Sequence, residues 1–160
     1  MNLSTLRRAA CLMTLASLAL PASSMGRPPV PSAPTADAAR TGVTVKTASS
    51  RFGTILVDGA GRTLYLFTAD RGKTSRCYGA CAKAWPVTYA KGTPRAAGGA
   101  RASLLGRTKR RDGRLQVTYR GRPLYYYVNE RAGQVLCQNV NEFGGLWLVV
   151  RPNGTAVRGG

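Results

Sequence analysis

Histidine is absent from the 160 residues, and only six carboxylates stand against 24 lysines and arginines. Without imidazole, Ser-His-Asp and Cys-His nucleophilic catalysis are excluded. Imidazole zinc sites, haem attachment through Cys-x-x-Cys-His and His2Cys copper sites are excluded with them. Cysteine is scarce as well: four are present and no two have Cys-x-x-Cys spacing, so the usual thiol-exchange motif is missing. No cofactor or metal site follows from the residues that remain.

Long apolar runs are also missing. Residues 9–20 are the most apolar stretch, too short to span a bilayer. Arg7 and Arg8 precede it and Ala22-Ser23-Ser24 follow, which is the three-part pattern of an export signal over residues 1–24. Cys11 falls inside that signal and is lost with it. Residues 25–42 are rich in Pro and Ala, a composition that cannot bury enough apolar surface to fold, so a disordered linker is expected there. A single β-rich domain is expected over residues 43–158, secreted and without a transmembrane segment once the signal is removed.

What is abundant is positive charge. The formal net charge is +18, and loss of Arg7 and Arg8 leaves 22 basic against 6 acidic side chains, or +16. Export makes nucleic acid an unsuitable partner. Anionic envelope polymers or lipid headgroups are the partners such a charge would attract. Arg107, Lys109, Arg110, Arg111 and Arg114 form the densest basic run. A solvated arginine-rich surface with no dedicated ligand is the alternative.

The architecture comes from an internal repeat. Residues 51–77 align without gaps on residues 111–137, with nine of 27 positions identical, among them Gly61/Gly121, Arg62/Arg122, Leu64/Leu124, Tyr65/Tyr125 and Cys77/Cys137. Each copy reads as an antiparallel hairpin. Strand patterning over residues 54–58 and 62–68 flanks Asp58-Gly59-Ala60-Gly61, and in the second copy residues 115–119 and 124–128 flank Arg120-Gly121. A further strand is expected at 146–150. Ser75 is a possible cap for a short helix near residues 78–85, ended by Pro86, and the Gly- and Ala-rich residues 91–101 read as a loop. The fold class is mainly β: two repeated hairpin units, a C-terminal strand and one short helix.

Leu64-Tyr65-Leu66-Phe67-Thr68-Ala69-Asp70 resembles the motif of bacterial secreted repeats with a Y-X4-D motif, also described as lipoproteins carrying Yx(FWY)xxD. Cys77-Tyr78-Gly79-Ala80-Cys81 with Trp85-Pro86, and Gly144-Gly145-Leu146-Trp147, resemble other stretches of that family. Glu130 stands where the second motif has aspartate, and Val87 where the family has a second proline. The resemblance implies a secreted β-rich repeat protein and carries no established activity.

Three candidate chemistries remain. Tyr65, Asp70, Tyr125 and Glu130 are repeat-equivalent, which suggests structural corners: acids that end each hairpin, accepting backbone N–H groups and pairing with Arg71, Arg131 or a neighbour. The same acids could instead face each other as the carboxylate pair of a carbohydrate hydrolase. Cys77, Cys81 and Cys137 could form a structural bridge, Cys77–Cys81 or one involving Cys137, or serve thiol–disulfide exchange. Alternating strand aromatics read as core, with Tyr126 the one expected outside. Weighed together, the residues favour a non-enzymatic, envelope-associated binding or structural module.

Overall fold

A computed structural model gives the structure of the protein and describes residues 41–159. The export signal over 1–24 and nearly all of the linker over 25–42 lie outside the described residues. The first strand, β1 (Thr41–Ser50), starts within the last two positions of that stretch.

β1 pairs antiparallel with β2 (Gly53–Asp58) and parallel with β4 (Thr93–Ala96), so the residues expected as a loop at 91–101 contain an edge strand. β3 (Tyr65–Phe67), β8 (Val140–Glu142) and β9 (Gly145–Val149) form a second sheet in the order β3-β9-β8. β5 (Leu105–Lys109), β6 (Leu115–Tyr119) and β7 (Arg122–Pro123) form a third. Isolated bridges, Tyr65 to Tyr125 and Val87 to Tyr125 among them, stitch these short sheets together. One short helix, α1 (Ala80–Ala84), follows Gly79, and no side chain caps it. Ser75 is turned inward instead.

The repeat begins one strand earlier than residues 51 and 111. Lys46 pairs with Val57, and Gly106 pairs with Thr118 in the same position of the second copy. β1 and β5 therefore match at an offset of 60 residues, but β2 and β6 match at 61. Turn lengths account for the slip. Ser50 and Gly53 close a two-residue turn, whereas Arg110 and Arg114 close a three-residue one, with Gly113 at φ +81°. The next turn reverses the difference. Asp58 and Arg62 enclose three residues, while Tyr119 and Arg122 enclose only Arg120 and Gly121, both at positive φ as a type I′ hairpin requires.

That one-residue slip moves side chains to the other face of the sheet. Val57 belongs to one apolar cluster, with Ile55, Tyr65, Phe67, Trp85, Tyr125 and Trp147. Val117, its identical partner in the gapless alignment, belongs to the second cluster with Leu56, Leu64, Leu124 and Leu148. Gln116 thus occupies the place of Ile55, fully buried. Its amide donates to Leu124 O at 2.8 Å and its carbonyl accepts from Arg110 at 2.6 Å, so both ends are satisfied.

Cys77 and Cys81 are joined, with Cα atoms 5.2 Å apart, and Cys137 is buried outside that bridge. The loop it closes is short, so it should stabilise by about 2 kcal/mol. Cys81→Ala with Cys77→Ala is expected to lower the denaturant midpoint accordingly without changing the fold. An unchanged midpoint would show that the bridge constrains nothing.

Candidate functional site

The two repeats meet on their tyrosines. Tyr65 N donates to Tyr125 O and Tyr125 N donates to Tyr65 O, both at 2.9 Å. A pseudo-two-fold axis runs between them, because their surroundings match. Tyr65 pairs with Val149 and Tyr125 with Val87; Val150 O accepts from Leu56 N, and Thr88 O from Val117 N, each at 2.8 Å. Trp85 meets Tyr65 edge-on at 5.3 Å and Trp147 meets Tyr125 edge-on at 5.2 Å. The two indoles stack on each other at 4.0 Å.

Across this axis each tyrosine reaches the acid of the other repeat. Tyr65 Oη donates to Glu130 Oε1 at 2.7 Å, and Tyr125 Oη donates to Asp70 Oδ2 at 2.9 Å. The acids also close their own loops: Arg76 N donates to Asp70 Oδ1 at 2.8 Å and Leu136 N to Glu130 Oε1 at 2.5 Å. Each acid thus accepts a backbone N–H group from six residues further along its own copy. The side-chain partners are the exchanged tyrosines; neither Arg71 nor Arg131 forms an ion pair with them.

Burial raises the pKa of both carboxyls, and the donated N–H and O–H groups pull it part of the way back. Burial also raises both tyrosines, and their carboxylate partners add to the shift. Neither acid lines any of the three clefts described below. An acid of a hydrolase needs an approach for substrate and water, and these have tyrosine and backbone donors where the substrate would sit.

One copy carries an addition. Ser75 Oγ accepts from Arg110 Nη1 at 2.7 Å and bonds Tyr125 Oη at 2.7 Å; Arg110 Nη2 donates to Cys77 O at 2.7 Å. Val135 stands at the matching position of the second repeat. Arg110, read from the sequence as part of the exposed basic run, is buried instead, with 1% of its side chain exposed. Its two Nη atoms donate to interior acceptors, and its Nε has no hydrogen-bond partner among the described residues but lies 3.5 Å from Asp112 in an ion pair, so Arg110 leaves the set of ligand candidates. Gln116 and Ser75 were not singled out as members of this network. No local signal marks Gln116: Leu115, Val117 and Tyr119 alternate without a break and place it with Thr118 on the polar phase of the strand.

Arg107, Lys109, Arg111 and Arg114 are exposed on the β5–β6 hairpin. Arg114 shares the Asp112 carboxylate at 2.9 Å. Tyr126, expected outside, is half-buried under the Arg62 guanidinium at 4.1 Å. Among the described residues, clefts open on the surface. Thr74, Ser75, Arg76, Tyr78, Lys109 and Arg111 line one of about 290 Å³. Arg95 and Arg107 lie on another of about 570 Å³, and Arg120, Arg122 and Arg158 on a third of about 380 Å³. No carboxylate lines any of them. Among the described residues no group of three or more Cys, Asp or Glu could hold a metal ion, and no helix is long and apolar enough to cross a membrane.

A family described as a secreted repeat of unknown function matches residues 46–88 and 106–151. The chain belongs to this family. The two matched segments coincide with the structural copies: each starts in the first strand of its unit, β1 or β5, and ends just beyond its tryptophan, Trp85 or Trp147. In this secreted-repeat protein the copies therefore include the strand that flanks the other copy's tyrosine. No curated protein and no solved structure matches the chain.

Proposed function

We propose that this secreted-repeat domain is a non-enzymatic binding module of the cell envelope whose cationic exterior holds an anionic polymer. Segregation of charge carries the reading. Of the twenty basic side chains among residues 41–159, sixteen are exposed and only Arg110 is buried. Of the five acids in the same span, Asp58, Asp70 and Glu130 are buried and Glu142 is half-buried, which leaves Asp112 outside. The surface seen by a ligand is thus more positive than the net charge suggests, and fields of one sign over clefts concentrate counter-charged partners. Arg107 and Lys109, two residues apart on β5, with Arg111 in the adjoining turn, supply the densest part of that surface.

Retention of residues 43–158 on an immobilised polyanion should fall steeply between about 0.15 and 0.5 M salt, where the screening length shrinks below the charge separation. Replacing Arg107, Lys109 and Arg111 by glutamine should move elution to clearly lower salt. Failure to bind, or binding indifferent to salt, would remove the reading.

A further inference from the structure

The cleft between Thr74–Tyr78 and the β5–β6 turn has features the other two lack. In the cleft of Arg120, Arg122 and Arg158, two guanidiniums already donate to carbonyls, Arg120 to Asn153 O at 3.1 Å and Arg122 to Phe67 O at 3.0 Å. The cleft of Arg95 and Arg107 has two cations facing from separate strands. Here Arg76, Lys109 and Arg111 converge, and none is in an ion pair among the described residues. The nearest exposed carboxylate, Asp112, is occupied by Arg110 and Arg114.

The walls are also held in place. Tyr78 lies between the bridged cysteines, with the Arg111 and Arg110 guanidiniums 3.7 and 4.3 Å from its ring centroid. Its hydroxyl accepts from Arg111 N at 3.3 Å. Ser75, the floor, is fixed by Arg110 and Tyr125. A ligand therefore meets one cation, Arg111, already held over the Tyr78 ring, beside the exposed Arg76 and Lys109, which lowers part of the ordering cost of binding.

From this cleft we infer a subsite for a phosphate monoester carried on a sugar or polyol unit of the polymer, an inference that rests on the anionic-polymer reading. Two forked guanidiniums and one ammonium supply more donors than a carboxylate's two oxygens can use. A phosphate monoester offers three oxygens and a charge of about −1.5 to −2 at neutral pH. A volume of about 290 Å³ accommodates the phosphate with one attached unit but no flat bilayer surface.

Amide chemical shifts of the full chain titrated with glucose 6-phosphate, glucose 6-sulfate and glucuronate test it. Shifts should centre on residues 74–78 and 109–111, with glucose 6-phosphate bound about 10-fold more tightly than the other two. Its affinity should rise as pH passes about 6, where the second phosphate proton leaves. Combined Arg76→Gln, Lys109→Gln and Arg111→Gln should weaken it about 20-fold. Lys83→Gln, Lys91→Gln and Arg131→Gln, an equal charge loss elsewhere, should stay within about 3-fold. Equal loss in both variants, or equal affinity for the three ligands, overturns the subsite. Salt-dependent polymer retention would then still stand on its own. Tighter binding to phosphatidic acid vesicles than to a phosphorylated soluble glycan would assign the chemistry to a membrane and overturn the polymer source.

Discussion

Trp147→Ala is expected to destabilise the domain by about 4 kcal/mol, a large part of what a domain this size possesses. Trp147 is the middle ring of a stack: Phe67 lies 4.1 Å away on one side and Trp85 4.0 Å on the other, both nearly parallel to it. Tyr125 abuts its edge and Tyr127 extends the cluster from Trp85. Removing the middle ring leaves a void bordered by side chains from both repeats, and strands tied by reciprocal hydrogen bonds cannot close in to fill it. Its Nε1 has no hydrogen-bond partner among the described residues. Trp147→Phe therefore loses area without breaking a hydrogen bond and should cost about half as much. Circular dichroism against denaturant reads both. A loss under about 1.5 kcal/mol for Trp147→Ala would mean the copies are not joined through this stack.

The copied hairpin, the short helix and the aromatic core were legible because turn glycines, alternation and identity at an offset of 60 are local signals. The first strand of each copy, β1 or β5, was not. Val43-Thr44-Val45-Lys46 and Gly106-Arg107-Thr108-Lys109 carry polar or basic residues at alternate positions, and their identity between copies is low. The slip between β2 and β6 was hidden for a different reason. One residue gained in the first turn and lost in the second leaves a gapless alignment intact while exchanging the faces of the strand between them. Ile55 and Gln116 are equivalent in space, yet Val57 and Val117 are identical in sequence.

At the candidate site the difficulty was distance along the chain. Tyr65 and Asp70 sit five residues apart and invite a local reading, but an antiparallel meeting of two copies carries each tyrosine past its own acid to that of the other. Arg110 was misplaced by the same limitation. Within Lys109-Arg110-Arg111 nothing distinguishes the middle residue, whose burial depends on Ser75, Cys77 and Gln116, contributed by two separate stretches of the chain.

Exchange of tyrosines makes a specific energetic demand. Asp70→Asn combined with Tyr125→Phe should show a coupling of about 1 kcal/mol or more, whereas Asp70→Asn with Tyr65→Phe, from the same copy, should be additive within about 0.5 kcal/mol. The single substitutions should also differ. Both oxygens of Asp70 accept donors, so an amide turns one N–H group against another donor and should cost about 2–3 kcal/mol. Glu130 takes both donors on Oε1, and its Oε2 has no partner among the described residues. Glutamine can keep a carbonyl on both donors but buries an NH2 group with no acceptor, so it should cost about 1–2 kcal/mol, less than the Asp70 amide. The pH dependence follows from the raised carboxyls. Below the ordinary values of 3.8 and 4.5 both groups are protonated, folded or unfolded, and their full contribution is present. As pH climbs above those values the unfolded chain releases its protons first, so stability falls until the folded groups ionise as well. A protein with both amides should lack that falling limb. If it keeps the limb, or if coupling appears within a copy instead of between copies, the tyrosines and acids do not hold the two halves together.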